Sequence, residues 1–330
     1  MQIKHLQQVP LPWAAMRGGA GHFSPAVVWH MINVYKAHMS FPRFLWQVPV
    51  LARGGRLLAL CLAALALAGC SLLTLAYNRL PTVVFWRLDG LVDLSSEQSA
   101  WLRPRIDVLH AWQRQQQLPE LAQALRQWQA QMGGELAPAT VCQQVTQARG
   151  WLEGLWAQAQ PDLTRLAREL SPAQRDHLAR HYAKADETFR SDWMGPDAAQ
   201  RRLQRFADRA GMFYGDLSPA QRSWLADRLA RNPFDAERSL AERQRRQADI
   251  LAILRAVAQG VPADAALQAL ADRVRTSPDP AYRAYAQALT TDTCALVSEL
   301  HARTTPEQRT RAAQRLAGYA ADLEALAAQR

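Results

Sequence analysis

The 330-residue chain lacks the short motifs that mark most recognisable enzyme and cofactor sites. It has no Walker loop, no Gly-x-Gly-x-x-Gly turn, no EF-hand loop and no His-Glu-x-x-His sequence. No serine stands in a Gly-x-Ser-x-Gly elbow. These absences favour a non-enzymatic protein without a cofactor, with a cryptic envelope enzyme such as a cell-wall hydrolase as the alternative.

Signals for β-strands are also scarce. β-Branched residues are few and do not alternate with polar ones, whereas Ala, Leu, Gln and Arg are abundant. Those four residues are strong helix formers. The sequence therefore predicts an all-α fold, an irregular bundle of roughly nine helices.

Acidic residues are missing from the first 70 positions. Six of the 39 basic residues lie there, which leaves 33 basic against 29 acidic residues in the rest of the chain. Nucleic-acid binding needs a clustered basic face, but the densest basic run, Arg243 to Arg246, is flanked by Glu242 and Asp249. That pattern is typical of a solvated helix face with i,i+4 ion pairs, so no nucleic-acid partner is expected.

The sequence Leu-Ala-Gly-Cys at 67–70 follows an apolar run that itself follows Arg53 and Arg56. A basic flank, an apolar segment and a small-residue cleavage site make a secretory signal. The cysteine after that site resembles a bacterial lipobox. The resemblance implies that residues 1–69 are a signal peptide and that the Cys70 thiol receives a diacylglycerol. After cleavage the new N-terminus is usually acylated too, so palmitate is an expected modification. Because Ser71 rather than Asp follows, it also implies an outer-membrane anchor facing the periplasm.

Other readings of the N-terminal region stay open. Residues 1–38 show no periodicity and are consistent with a start codon placed too early, because Met39 would give a leader of ordinary form. Residues 57–77 are long enough to form a transmembrane anchor instead of a cleaved signal. After cleavage, residues 70–80 would be a short apolar tether and residues 81–330 a single helical domain. Six apolar residues are expected on the domain or in the lipid interface: Leu72, Leu73, Leu75, Val83, Val84 and Phe85.

Two further cysteines, Cys142 and Cys294, lie outside the leader and the lipidation site. An exported protein meets an oxidising compartment, so we expect them to form a disulfide. The alternative is that both are buried free thiols that behave as small apolar residues.

One helix-start pattern occurs four times, as Leu-Ser-Pro-Ala-Gln or a close variant. In each copy a Ser or Thr caps an orphan amide, and a Gln three residues later completes a capping box. Apolar residues follow at seven and eleven positions after the cap, on one helix face. The four predicted caps are Ser95, Ser171, Ser218 and Thr305.

Two resemblances rest on these motifs. The lipobox, Tyr77-Asn78, the segment 86–89 and the segment 93–98 together resemble a family of proteobacterial lipoproteins of unknown function. Leu-Ser-Pro-Ala-Gln is similar to the Leu-Thr-x-x-Gln motif of Spy-like periplasmic chaperones. That second resemblance implies an all-α protein that holds unfolded clients on a concave face, and hence protein or peptide partners in the periplasm. A purely structural envelope tether is the remaining alternative.

Histidines and tryptophans offer weaker candidates. His177 and His181 stand at i,i+4 but have no third ligand nearby, so no metal site is predicted.

Eight tryptophans follow residue 70, and we expect core packing rather than an aromatic-lined groove for them.

Overall fold

The computed structural model describes residues 72–329, which form twelve α-helices and one π-helical turn and contain no β-strand. The all-α prediction is confirmed. In chain order the elements are α1 (Leu72–Asn78), α2 (Leu80–Val92), α3 (Ser96–Trp112), the π-helical turn (Gln113–Gln117), α4 (Leu118–Gln131), α5 (Pro138–Glu169), α6 (Pro172–Met194), α7 (Ala198–Tyr214), α8 (Pro219–Ala230), α9 (Ala236–Ala258), α10 (Ala263–Arg275), α11 (Pro280–Ala302) and α12 (Pro306–Ala328).

The helices of residues 72–329 outnumber the roughly nine that the sequence predicts. Part of the difference lies at the start of the described chain, where residues assigned to a short tether form α1 instead. Pro104 and Pro161 lie inside α3 and α5 without ending them. α9 begins at Ala236, with Asp235 as its cap.

Two large apolar clusters form the core. The first gathers residues of α5, α7, α8, α11 and α12, and the second gathers residues of α2, α3, α5, α6, α9 and α10. The residues seven positions after the four caps are all buried in these clusters. Leu225 and Ala312 lie in the first cluster, and Leu102 and Leu178 lie in the second.

A smaller cluster joins the two ends of the described chain. Tyr77 of α1 packs there with Leu118 of α4 and with Leu323 and Leu326 of α12. α4 packs against α12, so the C-terminal helix contacts the early part of the described chain. Between residues 72 and 329, no helix combines the length and the apolar character needed to cross a bilayer.

Candidate functional site

The first two helices carry four exposed apolar residues, Leu75, Val83, Val84 and Trp86. The exposed fraction is 62% for Trp86 and 54% for Leu75. Phe85 points the other way: it is buried in the second cluster, with the Arg103 guanidinium 3.4 Å from its ring centre. We call the four exposed residues the N-terminal apolar surface. Of the residues expected on the domain or in lipid, Leu73 and Phe85 pack on the domain, and Leu75, Val83 and Val84 are exposed.

Tyr77 fixes α1 to the rest of the protein. Its hydroxyl donates to Gln113 Oε1 at 3.2 Å, and its carbonyl contacts His110 Nε2 at 3.1 Å. The Tyr77 and His110 rings lie 4.4 Å apart. Burial raises the pKa of Tyr77 to about 12 although Arg114 opposes the shift. Arg114 also donates to Asn78 Oδ1 at 2.6 Å. The Tyr-Asn pair thus positions α1 against α3 and the π-helical turn.

Each of the four predicted caps accepts a hydrogen bond from the backbone N–H three residues later. Each matching glutamine side chain accepts from the backbone N–H of its cap residue. Such reciprocal bonding satisfies two orphan donors at a helix start. The sequence could predict this much, because both partners lie within one turn of the chain.

The structure also brings the four helix starts together in two pairs. Gln98 Nε2 donates to Gln174 Oε1 at 3.3 Å, and Gln174 Nε2 donates to Gln98 Oε1 at 2.6 Å. Each glutamine amide also donates a hydrogen bond to a backbone carbonyl just before the cap of the other helix. Gln98 donates to the Glu169 carbonyl at 3.1 Å, and Gln174 donates to the Asp93 carbonyl at 2.8 Å. Both carbonyls lie two residues before a cap, so the arrangement is locally two-fold.

Gln221 and Gln308 repeat this arrangement at the other two starts. Their amides exchange hydrogen bonds of 2.8 and 3.2 Å. Gln221 also donates to the Arg303 carbonyl, and Gln308 donates to the Asp216 carbonyl, again two residues before a cap. We call the two sets the first and second glutamine pairs. The helices of the first pair, α3 and α6, contribute to the second core cluster, and those of the second pair, α8 and α12, contribute to the first.

Cys142 of α5 and Cys294 of α11 form a disulfide, with their Cα atoms 5.5 Å apart. That separation lies within the usual range for a disulfide. Cys294 is buried in the first cluster, and Cys142 packs against the same cluster. The bond therefore joins two helices separated by 152 positions in sequence inside the core.

The basic run on α9 is not the solvated face that its flanking acids suggest. Arg243 is buried and pairs with buried Asp186 of α6 at 2.8 Å. The same carboxylate accepts from Gln244 and Gln247. Glu242 is buried too, and the hydrogen bonds from Arg245 and Arg246 lower its pKa although burial opposes them. The i,i+4 pairing is present in the Glu242–Arg246 and Arg245–Asp249 pairs, but much of it lies inside the protein.

The tryptophans contribute to the core less than expected. None of the eight is fully buried; seven are half-buried and Trp86 is exposed. Trp128 and Trp224 pack against the first cluster, and Trp101 packs against the second. Trp86 is therefore the one exposed tryptophan of the eight. Sequence periodicity alone could not distinguish it, or the other residues of the N-terminal apolar surface, from core residues.

His177 and His181 stay apart from any metal-binding set within residues 72–329, where no group of three potential ligands comes together. His177 Nε2 lies 3.3 Å from the Gly90 carbonyl. Cys70, the predicted lipidation site, and the predicted signal peptide lie outside the described residues.

A model for a family of unknown function, DUF6279, matches residues 90–283. The chain belongs to this family. No curated protein and no solved structure matches it. The span that matches the DUF6279 model contains the complete first glutamine pair and the buried Asp186–Arg243 ion pair. It ends before Thr305 and Gln308, and it begins after α1 and most of α2.

Sequence reasoning missed three features that depend on tertiary contacts: the pairing of the glutamines, the burial of the α9 charges, and the buried His301. His301 Nδ1 lies 2.9 Å from the Tyr214 hydroxyl, and its Nε2 lies 3.0 Å from the Gly134 carbonyl. The glutamine that recurs in all four helix starts was the sequence signal for the pairing of the glutamines. A capping box also accepts glutamate at this position, so capping alone does not require glutamine in every copy.

Proposed function

We propose that the protein is an outer-membrane lipoprotein, anchored through an acylated Cys70 and facing the periplasm, with a non-enzymatic helical body that binds protein or peptide partners. The observation that carries the export part of this proposal is the Cys142–Cys294 disulfide. Disulfides persist in oxidising compartments such as the periplasm and are rare in the cytosol. A lipobox ahead of a disulfide-containing body fits an exported, lipid-anchored protein.

Metabolic labelling with a clickable palmitate analogue tests the anchor. The chain offers a matched control, because Cys61 lies in the same apolar leader nine positions before Cys70. We expect Cys61→Ser to retain the label and Cys70→Ser to lose it and to accumulate unprocessed. A Cys70→Ser protein that stays firmly integral in the membrane, with no label in the wild type, would instead support a transmembrane anchor at residues 57–77.

Separation of inner and outer membranes tests the location. We expect the wild-type protein in the outer-membrane fraction. Ser71→Asp should shift it to the inner membrane, because Asp at that position commonly causes retention in the lipoproteins that the lipobox resembles. Wild-type protein in the inner membrane would contradict the outer-membrane assignment and leave the acylation result unaffected.

The binding role rests on the similarity of Leu-Ser-Pro-Ala-Gln to the Spy-like chaperone motif. Purified protein should slow the aggregation of an unfolded model client, and in-cell photocrosslinking should recover periplasmic proteins. If the protein leaves client aggregation unchanged and instead releases fragments from purified peptidoglycan, the binding role is wrong and the enzyme alternative stands.

A further inference from the structure

We infer that the N-terminal apolar surface lies in the headgroup region of the bilayer, so that α1 and α2 rest on the membrane and set the orientation of the helical body. This inference rests on the proposed lipid anchor at Cys70. It adds a second, non-covalent contact with the membrane and names the residues that make it.

The first observation is the shape of the surface. Val83 and Trp86 stand three residues apart on the outward face of α2, while Phe85 and Val92 fill the second core cluster on the inward face. Leu75 adds an exposed leucine on α1, whose Tyr77 holds the other side of that helix against α3. The inner faces of both helices pack on the body, whereas these apolar side chains are exposed to solvent.

The second observation is the distance to the lipid. Cys70 precedes the first residue of α1 by two positions, so the intervening backbone reaches at most about 7 Å. An acyl chain on Cys70 would therefore hold α1 at the membrane surface. Only Ser71 stands between Cys70 and Leu72 in the sequence, and α2 follows α1 after one residue.

The third observation is the kind of residue present. Tryptophan is enriched at membrane–water interfaces, where one part of its ring is in an apolar setting and its N–H stays hydrated. The charges beside these residues are mixed, because Arg79 precedes α2 and α2 itself carries Arg87 and Asp89. An exposed tryptophan among exposed aliphatic side chains, close in sequence to a lipidated cysteine, fits the membrane–water interface.

The physical benefit is a fixed orientation. The lipobox resemblance implies a diacylglycerol on Cys70, and two acyl chains already give stable attachment, but the lipid by itself leaves the body free to rotate on the membrane surface. Burial of Trp86, Val83 and Leu75 in the interface would add apolar contact and prevent free rotation about the lipidated residue. One side of the bundle would then always face the periplasm.

Tryptophan quenching tests the inference on the full-length lipidated protein. The protein is reconstituted into vesicles of phosphatidylethanolamine and phosphatidylglycerol, with and without brominated acyl chains. We expect brominated lipid to quench part of the emission, and Trp86→Phe to remove most of that quenching. Trp224→Phe is the matched control: this half-buried tryptophan lies on α8, which packs against α7 and α11, so lipid-dependent quenching should remain.

A second measurement covers the case in which Trp86→Phe disturbs folding. A nitroxide on Val83→Cys should be shielded from a water-soluble relaxation agent in vesicles, whereas a nitroxide on Val261→Cys, an exposed valine between α9 and α10, should stay accessible. An acylated protein with unquenched Trp86 and a water-accessible label at position 83 would overturn this inference alone. The same would follow if the label at position 83 were shielded only by a second copy of the chain. Absence of acyl chains on Cys70 would overturn the proposed anchor as well, and the labelling experiment reports that outcome separately.

Discussion

At the scale of single residues, His301 shows how burial selects a protonation state. Its side chain is fully buried, between the Tyr214 hydroxyl and the Gly134 carbonyl. A carbonyl only accepts, so Nε2 carries the proton and Nδ1 accepts from Tyr214. Burial lowers the pKa of His301 and Arg309 lowers it further, although the Gly134 hydrogen bond opposes both. At neutral pH the His301 side chain of the folded protein is therefore uncharged.

We expect the free energy of unfolding to fall as the pH drops below about 6.5, the ordinary pKa of histidine. In that range the unfolded chain binds a proton at His301 before the folded protein does, so acid favours unfolding until the pH passes below the lowered folded pKa. His110, whose pKa is also lowered by burial, acts in the same direction. Urea unfolding at several pH values measures the slope.

The variant His301→Gln keeps a donor and an acceptor but does not titrate, so it should reduce the pH dependence. A slope that this variant leaves unchanged would contradict the role of His301. If the variant does not fold, NMR titration of the His301 ring in the wild type gives the same answer, because a pKa at or above the ordinary value would be inconsistent with its burial.

At the scale of secondary-structure elements, the paired helix starts connect parts of the chain that are distant in sequence. Gln98 and Gln174 are 76 positions apart, and Gln221 and Gln308 are 87 apart. Each glutamine closes its own capping box and also bonds to the other member of the pair. An N-cap Ser or Thr usually contributes about 1 kcal/mol to stability. The glutamine side chain here completes the capping box and also fixes how two helices start beside each other, so its removal affects both contacts.

A double-mutant cycle distinguishes these two roles. Gln98→Ala and Gln174→Ala should each destabilise the protein, and together their effects should be non-additive by about 0.5–3 kcal/mol, as is usual for residues in direct contact. The matched control combines Gln98→Ala with Gln308→Ala, which belong to different pairs and should add to within about 0.5 kcal/mol. Additive effects in both cycles would show that the glutamines act only as local caps.

At the scale of the whole molecule, one arrangement occurs twice. In each copy, two helices start at a glutamine pair and contribute to one apolar cluster, in which the residues seven positions after the caps are buried. The disulfide joins α5 and α11 in the first cluster, and α5 also contributes Leu166 and Ala167 to the second. The long helix α5 therefore links the two clusters, and the disulfide ties it to the C-terminal part of the chain.

Removal of the disulfide should cost much of the stability of the fold. In the chain-entropy model, a loop of this length contributes about 5 kcal/mol, which is comparable to the stability of a typical domain. We expect the Cys142→Ala/Cys294→Ala variant to unfold at a much lower urea concentration than the oxidised wild type. Reductant should shift the wild type towards the variant and leave the variant unchanged. Equal midpoints for all three samples would show that the bond does not constrain the unfolded chain.

Local sequence determined the helical class, the four capped starts and the buried positions that follow them. Each of these depends on residues within a few turns of one another, so propensity, capping chemistry and apolar periodicity are sufficient. The Cys142–Cys294 disulfide was also predicted from the sequence, on the hypothesis that Cys61 and Cys70 belong to a signal peptide and a lipidation site, which leaves two cysteines to pair.

Tertiary structure alone decided which helix starts meet, which charges are buried and which apolar residues stay outside. Four equivalent starts can pair in three ways, and only packing selects Gln98 with Gln174 and Gln221 with Gln308. Local charge pattern placed Arg243 on a solvated face, whereas a carboxylate 57 positions away makes its burial favourable. Trp86 and Phe85 are neighbours of similar hydrophobicity, and only the position of α2 against the core buries one and exposes the other. The physical reason is common to all three: burial depends on contacts between segments that are far apart along the chain.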